Sequence, residues 1–188
     1  MSALPVEPVG AVTPAVFLIS GVPGAGKTTV SQLLAERFPR AAHIEGDYLQ
    51  HGLTVRGLVA PDRPPADEAE RQMALRVRNE CALADNFRGA GFVPVVDDVI
   101  ATRAKLDACL HALRARPVLF VVLAPPLAVA LQRDRDRGIK QVGHLFGHLD
   151  AVQRRELAGV GLWLDTTTLT PAATVDRILE RAWTEARL

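Results

Sequence analysis

The stretch Gly21-Val-Pro-Gly-Ala-Gly-Lys-Thr-Thr29 decides how the rest of this chain is read. It matches G-x-x-x-x-G-K-[ST], a loop whose backbone cradles phosphate groups. The apolar run Ala15-Val-Phe-Leu-Ile-Ser20 stands before it as a buried strand would. After it, Val30, Leu33, Leu34 and Phe38 recur on one helical face. Glycines let the backbone turn tightly and bring N–H groups close to phosphate oxygens. The positive end of the following helix points at the same place. Gly21, Val22, Pro23, Gly24, Ala25, Gly26, Lys27, Thr28 and Thr29 are therefore assigned to a nucleoside triphosphate, ATP. Lys27 is expected to reach the β- and γ-phosphates and Thr28 to ligate Mg²⁺.

Composition narrows the alternatives. At 188 residues, 48% of them hydrophobic, the chain is long and apolar enough for one substantial core. The net charge of +1, with no block of like charges, favours neither a nucleic-acid nor a membrane-surface partner. Five histidines show no paired zinc spacing; His144 and His148, four apart, lack companion ligands. Cys81 and Cys109 each fall inside a helical pattern, and two cysteines make no disulfide framework. No basic segment leads into an apolar core near the start, and no run approaches membrane-spanning length. We therefore expect a cytoplasmic protein, monomer or homodimer. Residues 1–13 read as a flexible lead-in and 14–188 as a single domain.

Further along, the first helix should end near Arg37, because Pro39 stops it. Ala41-Ala-His-Ile-Glu45 reads as a short strand with Gly46-Asp47 at its exit. In an open parallel sheet, ligands gather beyond the carboxyl ends of the strands. Asp47 there would accept the proton of a hydroxyl attacking the γ-phosphate; otherwise it caps a helix from Tyr48. Residues Val55 to Pro65, rich in proline, read as a loop. A long helix follows from Ala66 to Arg88, with Ala69, Met73, Val77, Cys81, Ala84 and Phe87 as its apolar stripe. Arg71, Arg76 and Arg78 occupy its other faces; most of these charges are expected to be solvated, and Arg76 is the one assigned to an acceptor substrate.

Phe92-Val-Pro-Val-Val96 leads into Asp97-Asp98. Pro94 is uncomfortable inside a central strand and should mark its entry. Successive strand side chains point to opposite faces, so only one aspartate serves Mg²⁺. Asp97 is assigned to the metal and Asp98 to the acceptor side or to a loop cap; otherwise both cap the entry of the next helix. A helix from Ala104 to Arg114 and a buried strand from Pro117 to Leu123 come next. Pro125-Pro126 opens a helix running into Arg133-Asp-Arg-Asp-Arg137-Gly-Ile-Lys140. Arg133 and Arg137, one turn apart, are expected to close on the phosphates as lid residues. Val142 to Phe146 reads as a loop. Asp150 and Gln153 suggest a capping box, Gly159 to Leu164 a fifth strand, and Thr170-Pro171 the cap of a last helix with Val175, Ile178, Leu179, Ala182 and Trp183 facing inward.

Strands alternate with helices throughout, which argues an α/β parallel sheet covered on both faces. With the phosphate loop, this is a three-layer P-loop NTPase fold of the nucleoside-monophosphate-kinase-like kind, with five parallel strands and a helical lid. The chain resembles the chloramphenicol phosphotransferase-like family of small-molecule kinases. The resemblance is carried by Gly21–Thr29, Gly46-Asp47, Val95-Val-Asp-Asp-Val99, the Arg133 to Lys140 stretch and Leu164-Asp-Thr-Thr167. It implies ATP-dependent phosphorylation of a hydroxyl on a small molecule, an antibiotic or other natural product among the candidates. Asp47 falls where the family has its proposed general base, and Lys27, Arg133 and Arg137 match its phosphate-loop lysine and lid arginines. Asp165 to Thr168, with Thr166 and Thr167, falls where relatives cover the adenine. A metabolic kinase of the shikimate or gluconate type, with Arg56 and Arg76 clamping a carboxylate, is the nearer alternative. A non-catalytic nucleotide-binding module is the more distant one. A GTPase is disfavoured, since no Asn-Lys-x-Asp segment is present.

Overall fold

A computed structural model describes residues 15–61, 63–138 and 142–188. The expected lead-in over 1–13, and Ile139 and Lys140 of the arginine-rich stretch, lie outside them. Five parallel strands form one sheet in the order β2-β3-β1-β4-β5. They are β1 (Val16–Ser20), β2 (Ala41–Glu45), β3 (Val93–Asp97), β4 (Val118–Leu123) and β5 (Leu162–Leu164). The helices are α1 (Lys27–Ala35), α2 (Ala66–Gly89), α3 (Arg103–Ala112), α4 (Leu127–Asp136), α5 (Gly143–Phe146), α6 (Leu149–Glu156) and α7 (Pro171–Glu185).

The pleat of the central strands sorts the core into two layers. Phe17, Ile19, Val95, Leu119 and Val121 pack with Leu34 of α1 and Ile178 of α7 on one face. Leu18, Val96 and Phe120 pack with Val77 of α2, Leu106 of α3 and Leu157 after α6 on the other. Cys81 and Cys109 are both buried thiols in this second layer. Truncating a fully buried leucine such as Leu34 to alanine is expected to cost roughly 2–5 kcal/mol.

β1 lies between β3 and β4, so its carboxyl end opens onto the middle of the sheet edge. The strand order reverses there, with β1 feeding the phosphate loop and β3 its neighbour. This is the topological switch point at which open α/β sheets bind ligands. Ser20, the last residue of β1, ties the corner together. Its Oγ accepts from the Ile100 backbone N–H at 2.9 Å and from Gln153 Nε2 at 2.9 Å.

Some local expectations give way to tertiary contacts. Pro94 pairs in register with Ala42 of β2, while the ladder to β1 begins at Val95, so proline interrupts only the entry on that side. Gln153 caps no helix: it is buried, donating to Ser20 and to the Ile100 carbonyl at 2.7 Å. Val142 to Phe146 is no plain loop. Gly143–Phe146 winds into α5 because the buried Asp134 carboxylate of α4 accepts the Gly143 N–H at 2.7 Å. Thr170 does cap α7, accepting from the Ala173 N–H at 3.1 Å. Trp183, however, is 36% exposed. Val175, Ile178 and Ala182 fill the contact with the sheet, and the indole falls at the stripe's edge.

Candidate active site

The phosphate loop sits between β1 and α1, and packing from α4 supports it from below. Gly24 has φ of 82°, and a Cβ there would lie 2.0 Å from the Ala130 carbonyl oxygen. Only glycine lets the loop rest on α4 this closely. Gly21, Val22 and Ala25 are buried beneath a crevice of about 90 Å³. Pro23, Gly24, Gly26, Lys27 and Thr28 line it, whereas Thr29 is exposed on the first turn of α1. Lys27 Nζ donates to the Val22 carbonyl at 3.4 Å, which curls the side chain back over the loop. Desolvation in the crevice pushes its ammonium below the ordinary lysine value, while Asp97 and Asp47 pull it back up. A bound polyphosphate would raise it further.

Asp97, at the carboxyl end of β3, faces the loop: its Oδ1 lies 3.5 Å from Thr28 Oγ1. Its Oδ2 lies 2.5 Å from His43 Nε2 of β2, a neighbour that sequence reasoning missed. The spacing of His43 and Asp97 is visible only once β2 and β3 pair in register. Thr28 and Asp97 form a small, hard-oxygen donor set. That set fits Mg²⁺, which takes one or two protein oxygens and leaves its other positions to phosphates and water. Among the described residues no cluster of three or more His, Cys, Asp or Glu could hold a metal.

Asp98 faces the other way. Its carboxylate is fully buried, ion-paired with Arg76 of α2 and with Lys105 of α3, and it accepts the Val99 N–H at 2.7 Å. Arg76 is therefore no solvated charge: its side chain is 5% exposed. It also donates to Asp47 Oδ1 at 2.9 Å, to Gln50 Oε1 at 3.2 Å and to Glu80 Oε1 at 3.0 Å. Gly46 makes room for this cluster. A Cβ there would stand 2.2 Å from Glu80 Oε1 and 2.9 Å from Arg76 Nε. The chain leaving β2 can thus press against the ion cluster and hand Asp47 to its edge. Asp47 occupies the cap position of a π-helical turn, Tyr48–Gly52, without making a side-chain cap bond.

Glu80, Gln50 and Lys105 are the other residues that sequence reasoning missed. Burial pushes the Glu80 carboxyl above its usual range, against the pull of Arg76 and Lys105. Burial likewise lowers the Lys105 ammonium to about 8. A signal was present. Arg76 and Glu80, opposite in charge and four apart, each precede a stripe residue, Val77 and Cys81, so they flank the buried face.

Beyond Asp47 the crevice opens into a larger cavity of about 440 Å³. Its floor holds Asp47, Arg76, Asp98 and Lys105; Met73, Val99, Val142, Leu145 and Phe146 supply apolar walls. The arginines of α4 separate. Arg137, one residue past the helix, lines the phosphate crevice. Arg133 does not line it. Its guanidinium donates to the Thr166 carbonyl at 2.7 Å, the Thr167 carbonyl at 3.2 Å and Thr166 Oγ1 at 3.2 Å. It fastens α4 to the turn after β5, bringing together Arg133, Thr166 and Thr167.

The family profile described as chloramphenicol phosphotransferase-like protein matches residues 14–183. The chain belongs to this family. Membership, with the geometry above, makes it a P-loop small-molecule kinase, an enzyme that uses a nucleotide. No curated protein matches its sequence significantly. Among solved structures, it is similar to the tunicamycin resistance protein of Deinococcus radiodurans, at 21% identity and TM-score 0.61, over 93% of this chain and 98% of that one. A sugar kinase from Janibacter sp. HTCC2649 aligns at 20% identity and TM-score 0.62, over 89% and 93%. Shikimate kinase from Acinetobacter baumannii, in complex with shikimate, aligns at 22% and 0.59, over 89% and 92%. At these identities the likeness is one of fold. No helix among the described residues is long and apolar enough to cross a membrane.

Proposed function

We propose that the protein is an ATP-dependent O-phosphotransferase acting on a hydroxyl of a small, largely uncharged molecule. The observation that carries this is the position of Asp47, which lines both the phosphate crevice and the larger cavity beside it. A hydroxyl bound in the cavity and a γ-phosphate held in the crevice would meet at that carboxylate. Asp47 accepts the hydroxyl proton as the oxygen attacks phosphorus and the bond to the leaving ADP oxygen breaks. Its side chain is 43% exposed, so a substrate can reach it. Lys27 and Arg137 offset the negative charge on the transferring group. Arg133, fixed against Thr166 and Thr167, would border the adenine. Thr28 and Asp97 would hold Mg²⁺, which when bound neutralises charge between the phosphates.

The cavity favours a neutral acceptor over a hydroxy acid. Of the arginines and lysines that line it, Arg76 and Lys105 are already paired with carboxylates, and Arg63 is exposed. Arg56, the other candidate clamp, is exposed and does not line the cavity. Apolar walls suit an amphiphilic acceptor such as an antibiotic or other natural product.

Acceptor-dependent ADP release tests this across antibiotics, sugars, nucleosides and hydroxy acids. Release with neutral amphiphilic alcohols is expected. Release with hydroxy acids alone would move the reading to the shikimate or gluconate type, and release with none would overturn it.

A further inference from the structure

Arg76 has too many partners to be a substrate clamp. A guanidinium carries five N–H donors in a planar fork. Here Nε goes to Glu80, Nη1 to Asp47 and Gln50, and Nη2 to Asp98. Four donors are thus committed to protein acceptors, and no fork edge remains for a bidentate grip on a ligand carboxylate. Yet the residue lies directly beside the phosphate crevice and the acceptor cavity.

Its partners differ in a telling way. Glu80 and Asp98 have side chains 2% and 0% exposed, and they are fixed by α2 and β3. Asp47 is 43% exposed and stands on a short turn between β2 and the loop that follows. Two buried carboxylates hold the guanidinium, and the guanidinium holds an accessible one. Burying a cation of this kind is costly unless it is fully paired. Gly46 leaves open the space that the pair Arg76–Glu80 occupies.

We propose that Arg76 is a positioning residue for phosphoryl transfer: anchored by Glu80 and Asp98, it fixes the Asp47 carboxylate at the boundary between crevice and cavity. It touches neither reactant. This rests on the reading of Asp47 as the proton acceptor. Holding one carboxylate oxygen aims the group at the hydroxyl whose proton it accepts.

A double-mutant cycle tests the inference. Phosphoryl transfer is followed with the best acceptor of the panel or, lacking one, with water as acceptor in slow ATP hydrolysis. Asp47→Asn is measured first. A rate equal to wild type would overturn the Asp47 reading itself, before Arg76 is altered. With that variant impaired, Arg76→Ala is expected to lower kcat roughly 100-fold while changing the KM for ATP less than about threefold. Added to Asp47→Asn, it should cost little more, since both act through one carboxylate.

Guanidinium chloride at low concentration should restore part of the activity of Arg76→Ala and none of Asp47→Asn. Arg76→Lys keeps the charge but not the fork. It provides a folded variant if the alanine form melts, and should lose roughly 10-fold in kcat with ATP binding intact. Losses that multiply independently in the cycle, or a folded Arg76→Lys enzyme at full rate, would overturn the proposal.

Discussion

The two walls of this site are built by opposite strategies. The phosphate wall is a short, contiguous piece of backbone: nine residues, three of them glycine, seated between β1 and α1. The acceptor wall is made of side chains from the exits of β2 and β3 and from α2, α3 and α5, which meet around one buried guanidinium. The first needs local conformation, and the second needs the whole fold. Damage to the first should therefore strike nucleotide chemistry directly, and damage to the second should separate acceptor chemistry from nucleotide binding.

Lys27→Ala attacks the phosphate wall. Lys27 is its one ammonium, drawn over the loop and desolvated. Removing a preorganised charge from such a site costs about 10²–10³ in kcat, and the upper end is expected here. Nucleotide affinity should fall as well, as calorimetry with an ATP analogue would report. Full turnover would break the assignment of this wall.

Asp47→Asn attacks the boundary and should spare ATP. Loss of a general base lowers rates by about 10²–10⁴. We expect roughly 100-fold in kcat with the KM for ATP unchanged. A matching loss of ATP affinity would show that Asp47 belongs to the nucleotide wall, and the contrast between the walls would dissolve.

The same contrast explains what could be read from the sequence. Gly21–Thr29 and the strand–helix alternation disclose the fold because their signals are local: glycine spacing and apolar runs. Strand side chains alternate, and Asp97 and Asp98 face the loop and the ion cluster respectively. The ion cluster around Arg76 is not legible in the sequence because its partners lie far off along the chain: Asp47 and Gln50 precede it by 29 and 26 residues, and Asp98 follows by 22. Arg133 and Arg137 share a helical face at sequence level, yet one binds the turn after β5 and the other borders the phosphate crevice. Gln153 and Asp134 were invisible as architecture, since each serves a backbone or hydroxyl group on another element.

Gly46→Ala probes the acceptor wall through packing alone. A Cβ at 2.2 Å from Glu80 Oε1 must displace the ion cluster or the chain leaving β2. Overpacking of this kind costs about 1–3 kcal/mol. In a chain of this size the melting temperature should fall by about 5 °C. Acceptor turnover should fall further than nucleotide binding, as Asp47 loses its support. An alanine form with unchanged melting and unchanged turnover would show that the cluster is not tightly built.

The smallest effect concerns Lys105, whose ammonium burial lowers to about 8 from 10.5. Arg76 and Glu80 of α2, Asp98 at the end of β3, Asp47, and Cys109 on its own helix all face it. Below the folded value, Lys105 carries its charge at a desolvation cost that the unfolded chain does not bear. Between about 8 and 10.5 the folded state has released this proton while the unfolded state still holds it. The unfolded state then binds more protons, so this group's contribution to stability rises with pH across that window. Arg76 keeps Asp98 paired when the lysine is neutral, so the cluster survives the change. Lys105→Met removes the titration. The wild-type melting temperature minus that of the variant should therefore increase from pH 8 toward 10.5. A difference that stays flat would mean that the lysine ammonium is not desolvated in the folded protein.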